Sequence, residues 1–174
     1  MTLKEFLFEF LCEKSKIRTY SIAFLMLLSA SCVEYPHYPP EPHIEYVSAI
    51  PFFGEDELGN KEKIIRITFM LYDGDGDIGH GQATPTEYDF FSTIYIQKNG
   101  TFHLLSDFIA NNSNYTLPQL RANNNKKFIK AEVQIDITYS SLSFPYDTAY
   151  VSFYVKDRAG NISNTDSSDV VIFR

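Results

Sequence analysis

The sequence predicts an all-β protein, an immunoglobulin-like antiparallel sandwich of about seven strands, and three observations point there. Short runs of alternating apolar and polar residues, separated by turn signals, recur from Ile44 to the C-terminus. The chain holds 15 Phe and 12 Tyr with no Trp, and aromatic side chains suit the half-buried surface of a pleated sheet. No segment sustains a helical period. At 174 residues the chain is long enough for one domain with a sizeable core.

The elements follow in order. IEYVSAI (44–50) is the first strand and EKIIRITFMLY (62–72) the second. FFSTIYIQ (90–97) runs into Lys98-Asn99-Gly100, whose Asn-Gly pair supplies the positive φ values of a tight hairpin, and TFHLLS returns from Thr101. NNSNYTLPQLRANNNKK (111–127) carries six Asn and reads as loop, because Asn side chains compete for local backbone bonds. KFIKAEVQIDIT (127–138) alternates cleanly, with Ile129, Ala131, Val133, Ile135 and Ile137 on one face and Lys130, Glu132, Gln134 and Asp136 on the other. TAYVSFYVKD (148–157) and SDVVIF (168–173) complete the set. Seven short strands joined by turns suit a two-sheet sandwich.

The first 31 residues stand apart from the fold. Lys14, Lys16 and Arg18 precede an apolar run from Ile22 to Leu28, then Ser29, Ala30, Ser31 and Cys32. That is the order of a secretory signal, and the run is too short for a permanent membrane span. The segment resembles the lipobox of bacterial lipoproteins, whose Cys is lipidated and becomes the first residue. Leu28 lies four residues before Cys32 where the usual box places Leu three before, a spacing similar to the looser boxes of Bacteroidetes lipoproteins. The other reading is an ordinary signal cut near Ser31 that leaves Cys32 as a free thiol. Cysteine arithmetic favours lipidation, since Cys12 would leave with the signal and a lone exported Cys has no disulfide partner. Removing residues 1–31 discards four basic and three acidic residues, leaving 11 against 19. From Cys32 to His43 the proline-rich stretch VEYPHYPPEPH reads as a semi-rigid spacer, and residues 44–174 as the sandwich domain. His37 and His43 read as exposed spacer residues.

DGDGDIG (73–79) raises the one chemical question. Asp73, Asp75 and Asp77 match the first three ligand positions of an EF-hand, but Ile78 stands where Gly is required, Thr84 replaces the closing Glu and no helices flank the loop. An EF-hand is therefore excluded. In an immunoglobulin-like sandwich the loop after the second strand and the loop after the sixth share an end. On that count Asp157 and Asn161 of DRAGNIS (157–163) approach Asp73, Asp75 and Asp77 and complete a calcium shell; the alternative is a polar turn shaped by Gly and Asx geometry. His80 reads either as a transition-metal ligand beside Asp75 or Asp77, or as a solvated loop residue. His103 falls on a hairpin strand.

Residues 32–174 resemble a group of small Bacteroidetes lipoproteins, through Cys32, the proline spacer, the strand entering DGDGDIG and the closing YVKDRAGNISN, which is similar to the last hairpin of immunoglobulin-like and cadherin-like repeats. The resemblance implies an immunoglobulin-like fold and a lipid-anchored outer-membrane location, and it implies no activity. The formal charge of −7 excludes nucleic acid as a partner, since phosphate binding needs clustered Lys and Arg. No nucleophile elbow, zinc-protease motif or phosphate loop is present, so the sequence predicts no enzyme. Two roles are expected. The first is a non-catalytic binding or accessory module for a glycan, peptide or protein, with Tyr-rich stretches such as YSSLSFPYDTAY (139–150) serving either as contact surface or as core. The second is a structural envelope subunit stacking through strand edges.

Overall fold

A computed structural model describes residues 38–80, 87–105, 114–119 and 128–174. The signal segment, Cys32, His37 and most of the Asn-rich stretch lie outside the described residues. Eight strands are present among them: β1 (His43–Glu55), β2 (Lys61–Asp73), β3 (Phe90–Lys98), β4 (Thr101–Leu104), β5 (Ile129–Ser140), β6 (Thr148–Val155), β7 (Asp166–Ser167) and β8 (Val171–Ile172). They form two antiparallel sheets packed face to face, β1-β2-β5 and β4-β3-β6-β7, with β8 also pairing β6. All-β and sandwich are as the sequence predicts, with one strand more.

The extra strand comes from a break in the last one. Ser163 Oγ accepts from Val155 N and Ser168 Oγ accepts from Val151 N, both at 2.9 Å. Each hydroxyl stands in for a backbone acceptor, so the edge beside β6 is divided into β7, β8 and a lone bridge at Lys156↔Ile162. The first strand is longer than its apolar run. It continues through Pro51 to Glu55, because β1 is an edge strand and an edge tolerates a proline.

The core lies between the inner faces. Ile65, Ile67, Phe69 and Leu71 of β2 and Ile135 and Ile137 of β5 meet Phe90, Ile94 and Ile96 of β3 and Ala149, Val151, Phe153 and Val155 of β6. Phe69, Phe90 and Phe153 form its centre, with ring centroids 5.4 to 5.8 Å apart. Tyr139 and Phe144 of the Tyr-rich stretch are buried in this core and stack at 4.7 Å. One open side of the sandwich is closed by polar side chains. Asn164 bonds both Ile44 N and Ile44 O at 2.9 Å, and Asp166 Oδ2 accepts from Tyr46 N at 2.8 Å.

The end of the proline spacer packs on the domain. Pro42 is buried, and Tyr38 sits against Tyr72 and Phe128 at 5.4 and 5.3 Å.

Candidate functional site

The loops after β2 and after β6 meet at one end of the sandwich. Asp73, at the end of β2, is fully buried; Asp157, just past β6, is 1% exposed; Asp77 is half-buried between them. One carboxylate oxygen from each lies within 4.8 Å of the other two. The sequence-predicted approach of Asp157 to the acidic loop is present in the fold. Asp75 is exposed at the loop tip and outside this triad, although its charge reaches Asp73.

The glycines of DGDGDIG each answer a local demand. A Cβ on Gly74 would meet Tyr38 O at 2.2 Å and Pro39 O at 2.3 Å, and Gly74 N donates to Pro39 O at 2.9 Å, so the entering chain lies directly on this residue. Gly76 and Gly79 take positive φ of 75° and 86°. Ile78 points into the core with no exposure and plugs the loop to the sandwich.

Hydrogen bonds occupy one oxygen of Asp73 and of Asp77 and both oxygens of Asp157. Asp73 Oδ2 accepts from Asp77 N at 2.9 Å, and Asp77 Oδ2 accepts from Ala159 N at 3.0 Å, which ties the two loops together. Asn161, predicted as a ligand, acts through Asp157: its N and Nδ2 donate to Oδ1 and Oδ2 at 2.7 and 2.8 Å. Oδ1 of Asp73 and Oδ1 of Asp77 are buried and accept nothing from the described residues. None of the three carboxylates has a salt-bridge partner among the described residues. Burial, then the charges of Asp75 and Asp77, push the Asp73 carboxyl up to about 6. Burial and the neighbouring Asp157 and Asp75 raise Asp77 as well, against a smaller opposing pull from Arg158. An all-oxygen set of this kind suits a hard cation.

His80 does not join this set. Its Nδ1 lies 2.5 Å from Oδ1 of Asp89, a fully buried carboxylate that also accepts from His80 N at 3.3 Å and Leu117 N at 2.9 Å. The other ring nitrogen faces Glu87 Oε2 at 3.7 Å. His80 is thus neither a solvated loop residue nor a partner of Asp75 or Asp77. His80 and Glu87 border a 350 Å³ cleft with Tyr88, Phe91, Lys156 and Arg158. Asp89 was not readable as a site residue, because its partners at 80 and 117 are assembled by the fold. His103 is exposed on β4, bonded to Thr101 Oγ1 at 2.8 Å.

Among the described residues, aromatic side chains gather at two surfaces that bear on binding. On the outer face of the β3–β6 pair, Tyr95 and Tyr150 stack at 4.7 Å and 4°, Phe91 and Tyr154 at 4.9 Å and 8°, and Phe102 of β4 meets Tyr150 edge-on at 5.1 Å. These are directly opposed residues in the ladder, Tyr95↔Tyr150 and Phe91↔Tyr154. Separately, Tyr38, His43, Tyr72, Glu41, Glu45 and Lys130 border a 560 Å³ cleft where the chain enters the domain. Lys130 lies over the Tyr72 ring at 5.2 Å, and Tyr72 donates to Glu45 at 2.9 Å.

No family model, no curated protein and no solved structure matches this chain.

Proposed function

We propose that this protein is an exported envelope protein, lipid-anchored at Cys32, whose sandwich is a non-catalytic binding module for a glycan, peptide or protein. The observation that carries the reading is the aromatic row on the outer face of β3 and β6. Core packing does not account for these rings, since alternate residues of the same strands already fill the interior. Flat rings held parallel on a rigid sheet are a stacking platform for sugar faces or apolar side chains, and aromatic residues dominate binding surfaces for that reason.

The test is retention of the protein on immobilised envelope glycans and peptides. Wild type is expected to bind at least one, and the Tyr95→Ala/Tyr150→Ala double variant to lose about tenfold or more in affinity while keeping its fold. Unchanged binding by the double variant would remove the row from the account. Palmitate labelling of wild type but not of Cys32→Ser tests the anchor. The competing role, a structural subunit, rests on β4, an edge strand exposed along its whole length. Concentration-dependent polymers in sedimentation would favour it over the binding module.

A further inference from the structure

We infer that Asp73, Asp77 and Asp157 form a calcium site, and that the bound ion fixes the segment Tyr38–Pro39 by which the chain enters the domain. The inference stands independently of what the aromatic row binds. It begins with an imbalance: three carboxylates converge, two of them buried, with no salt-bridge partner among the described residues. Burying one uncompensated carboxylate is costly, and gathering three is a cost the fold would shed unless a cation offset it.

The free oxygens give the second, independent sign. Asp73 is fully buried, its Oδ2 satisfied by Asp77 N, yet its Oδ1 is buried without a partner among the described residues. Asp77 repeats the arrangement, with Oδ2 on Ala159 N and Oδ1 unpartnered. Unsatisfied buried polar atoms are rare and call for an explanation. Asp73 and Asp77 each spend one oxygen on shaping the loops and keep the other for a ligand, whereas both oxygens of Asp157 accept from Asn161 and reach the ion through a remaining lone pair.

The identity of the ion follows from the donors. Calcium bonds oxygen at about 2.3–2.6 Å, so oxygens sharing one ion lie up to about 5 Å apart. The three oxygens lie within 4.8 Å of one another, inside that limit. No imidazole enters the set, since His80 is bonded to Asp89. That favours a hard cation over zinc or copper. Asp75 stands at the solvent rim, and water completes the shell.

The consequence for the entering chain is geometric. Gly74 follows ligand Asp73 directly, donates to Pro39 O and has no space for a Cβ against Tyr38 O and Pro39 O. An ion that fixes Asp73 and Asp77 therefore fixes the surface on which Tyr38–Pro39 rests.

The experiment uses the detergent-solubilised full chain, titrated with calcium chloride by calorimetry, melted with calcium or chelator, and followed by hydrogen exchange. Asp73→Asn and Asp77→Asn are the informative variants, because an Asn oxygen can keep each loop bond while the amide replaces the free oxygen. Wild type is expected to bind one calcium with Kd between about 10 μM and 1 mM and to gain about 5 °C or more in Tm at saturation. Peptides covering residues 38–45 and 73–80 should both gain protection. In chelator the variants should melt at or above wild type, since one charge has been removed, and neither should respond to calcium. No heat and no shift at millimolar calcium would overturn the site, as would variants responding like wild type. Binding without added protection at residues 38–45 would overturn the coupling to the entering chain.

Discussion

Gly79 and Gly160 share a left-handed backbone, with φ of 86° and 93°, but their surroundings differ. A Cβ at Gly160 meets nothing within 4 Å, whereas one at Gly79 would sit 2.2 Å from Pro118 O. Gly160→Ala should therefore cost only the backbone strain, about 1–2 kcal/mol, and Gly79→Ala about 1–3 kcal/mol more for the clash. Urea denaturation measures both, and equal costs would mean that the segment around Pro118 moves aside freely. A second prediction concerns Arg66 and Asp136, bonded across β2 and β5 at 2.7 and 2.8 Å. The hydrogen bond and charge of Arg66 hold the Asp136 carboxyl below its ordinary 3.8. A carboxyl lowered in the folded state contributes stability that is present above the unfolded value and lost as pH falls through the folded one. Asp136→Asn should thus lower Tm slightly at neutral pH, where both side chains are well exposed to water, and the difference should fade as the pH is taken below 3.8. A difference that grew on acidification would contradict the assignment.

At the scale of strands, inside and outside faces should behave as different materials. Phe69 lies between Phe90 and Phe153 at the centre of the core, so Phe69→Ala should cost about 3–5 kcal/mol in guanidinium unfolding. Phe91, on the opposite face of the neighbouring sheet, makes a cross-strand stack with Tyr154, and Phe91→Ala should cost about 1 kcal/mol or less. A comparable loss at both positions would make the outer row part of the structural core. The strands were the legible part of the sequence because alternation is enforced by burial of one face. In β5 the predicted sorting holds residue by residue: Ile129, Ile135 and Ile137 are buried and Lys130, Glu132, Gln134 and Asp136 exposed, with Ala131 and Val133 half-buried. Where pairing depends on something other than alternation, the reading fell short. The first predicted strand ends at Ile50, yet β1 runs on through Pro51 at the sheet edge, and two serine hydroxyls divide the final strand. Lys63, inside the second predicted strand, is 7% exposed, its Nζ on Asp147 Oδ1 at 2.7 Å and Tyr146 O at 2.8 Å, a burial that alternation does not announce.

For the whole molecule, topology is what turns distant residues into a site. Counting strands was enough to place the loops after β2 and β6 at one end, and so to bring Asp157 towards Asp73 and Asp77. Counting could not show that Asn161 serves Asp157, that Asp89 claims His80, or that the entering chain lies on Gly74. Those contacts join residues 4 to 35 positions apart through side-chain and loop geometry that alternation along a strand does not encode. The assembled picture is a sandwich with an acidic loop end beside the point of chain entry and an aromatic row on one outer face. The most direct test of the cation at its centre is a crystal structure of the protein grown with calcium, with anomalous data collected at long wavelength. The account predicts one anomalous peak about 2.3–2.6 Å from an oxygen of each of Asp73, Asp77 and Asp157. The three carboxylates bonded only to water and to one another, with no peak between them, would contradict it.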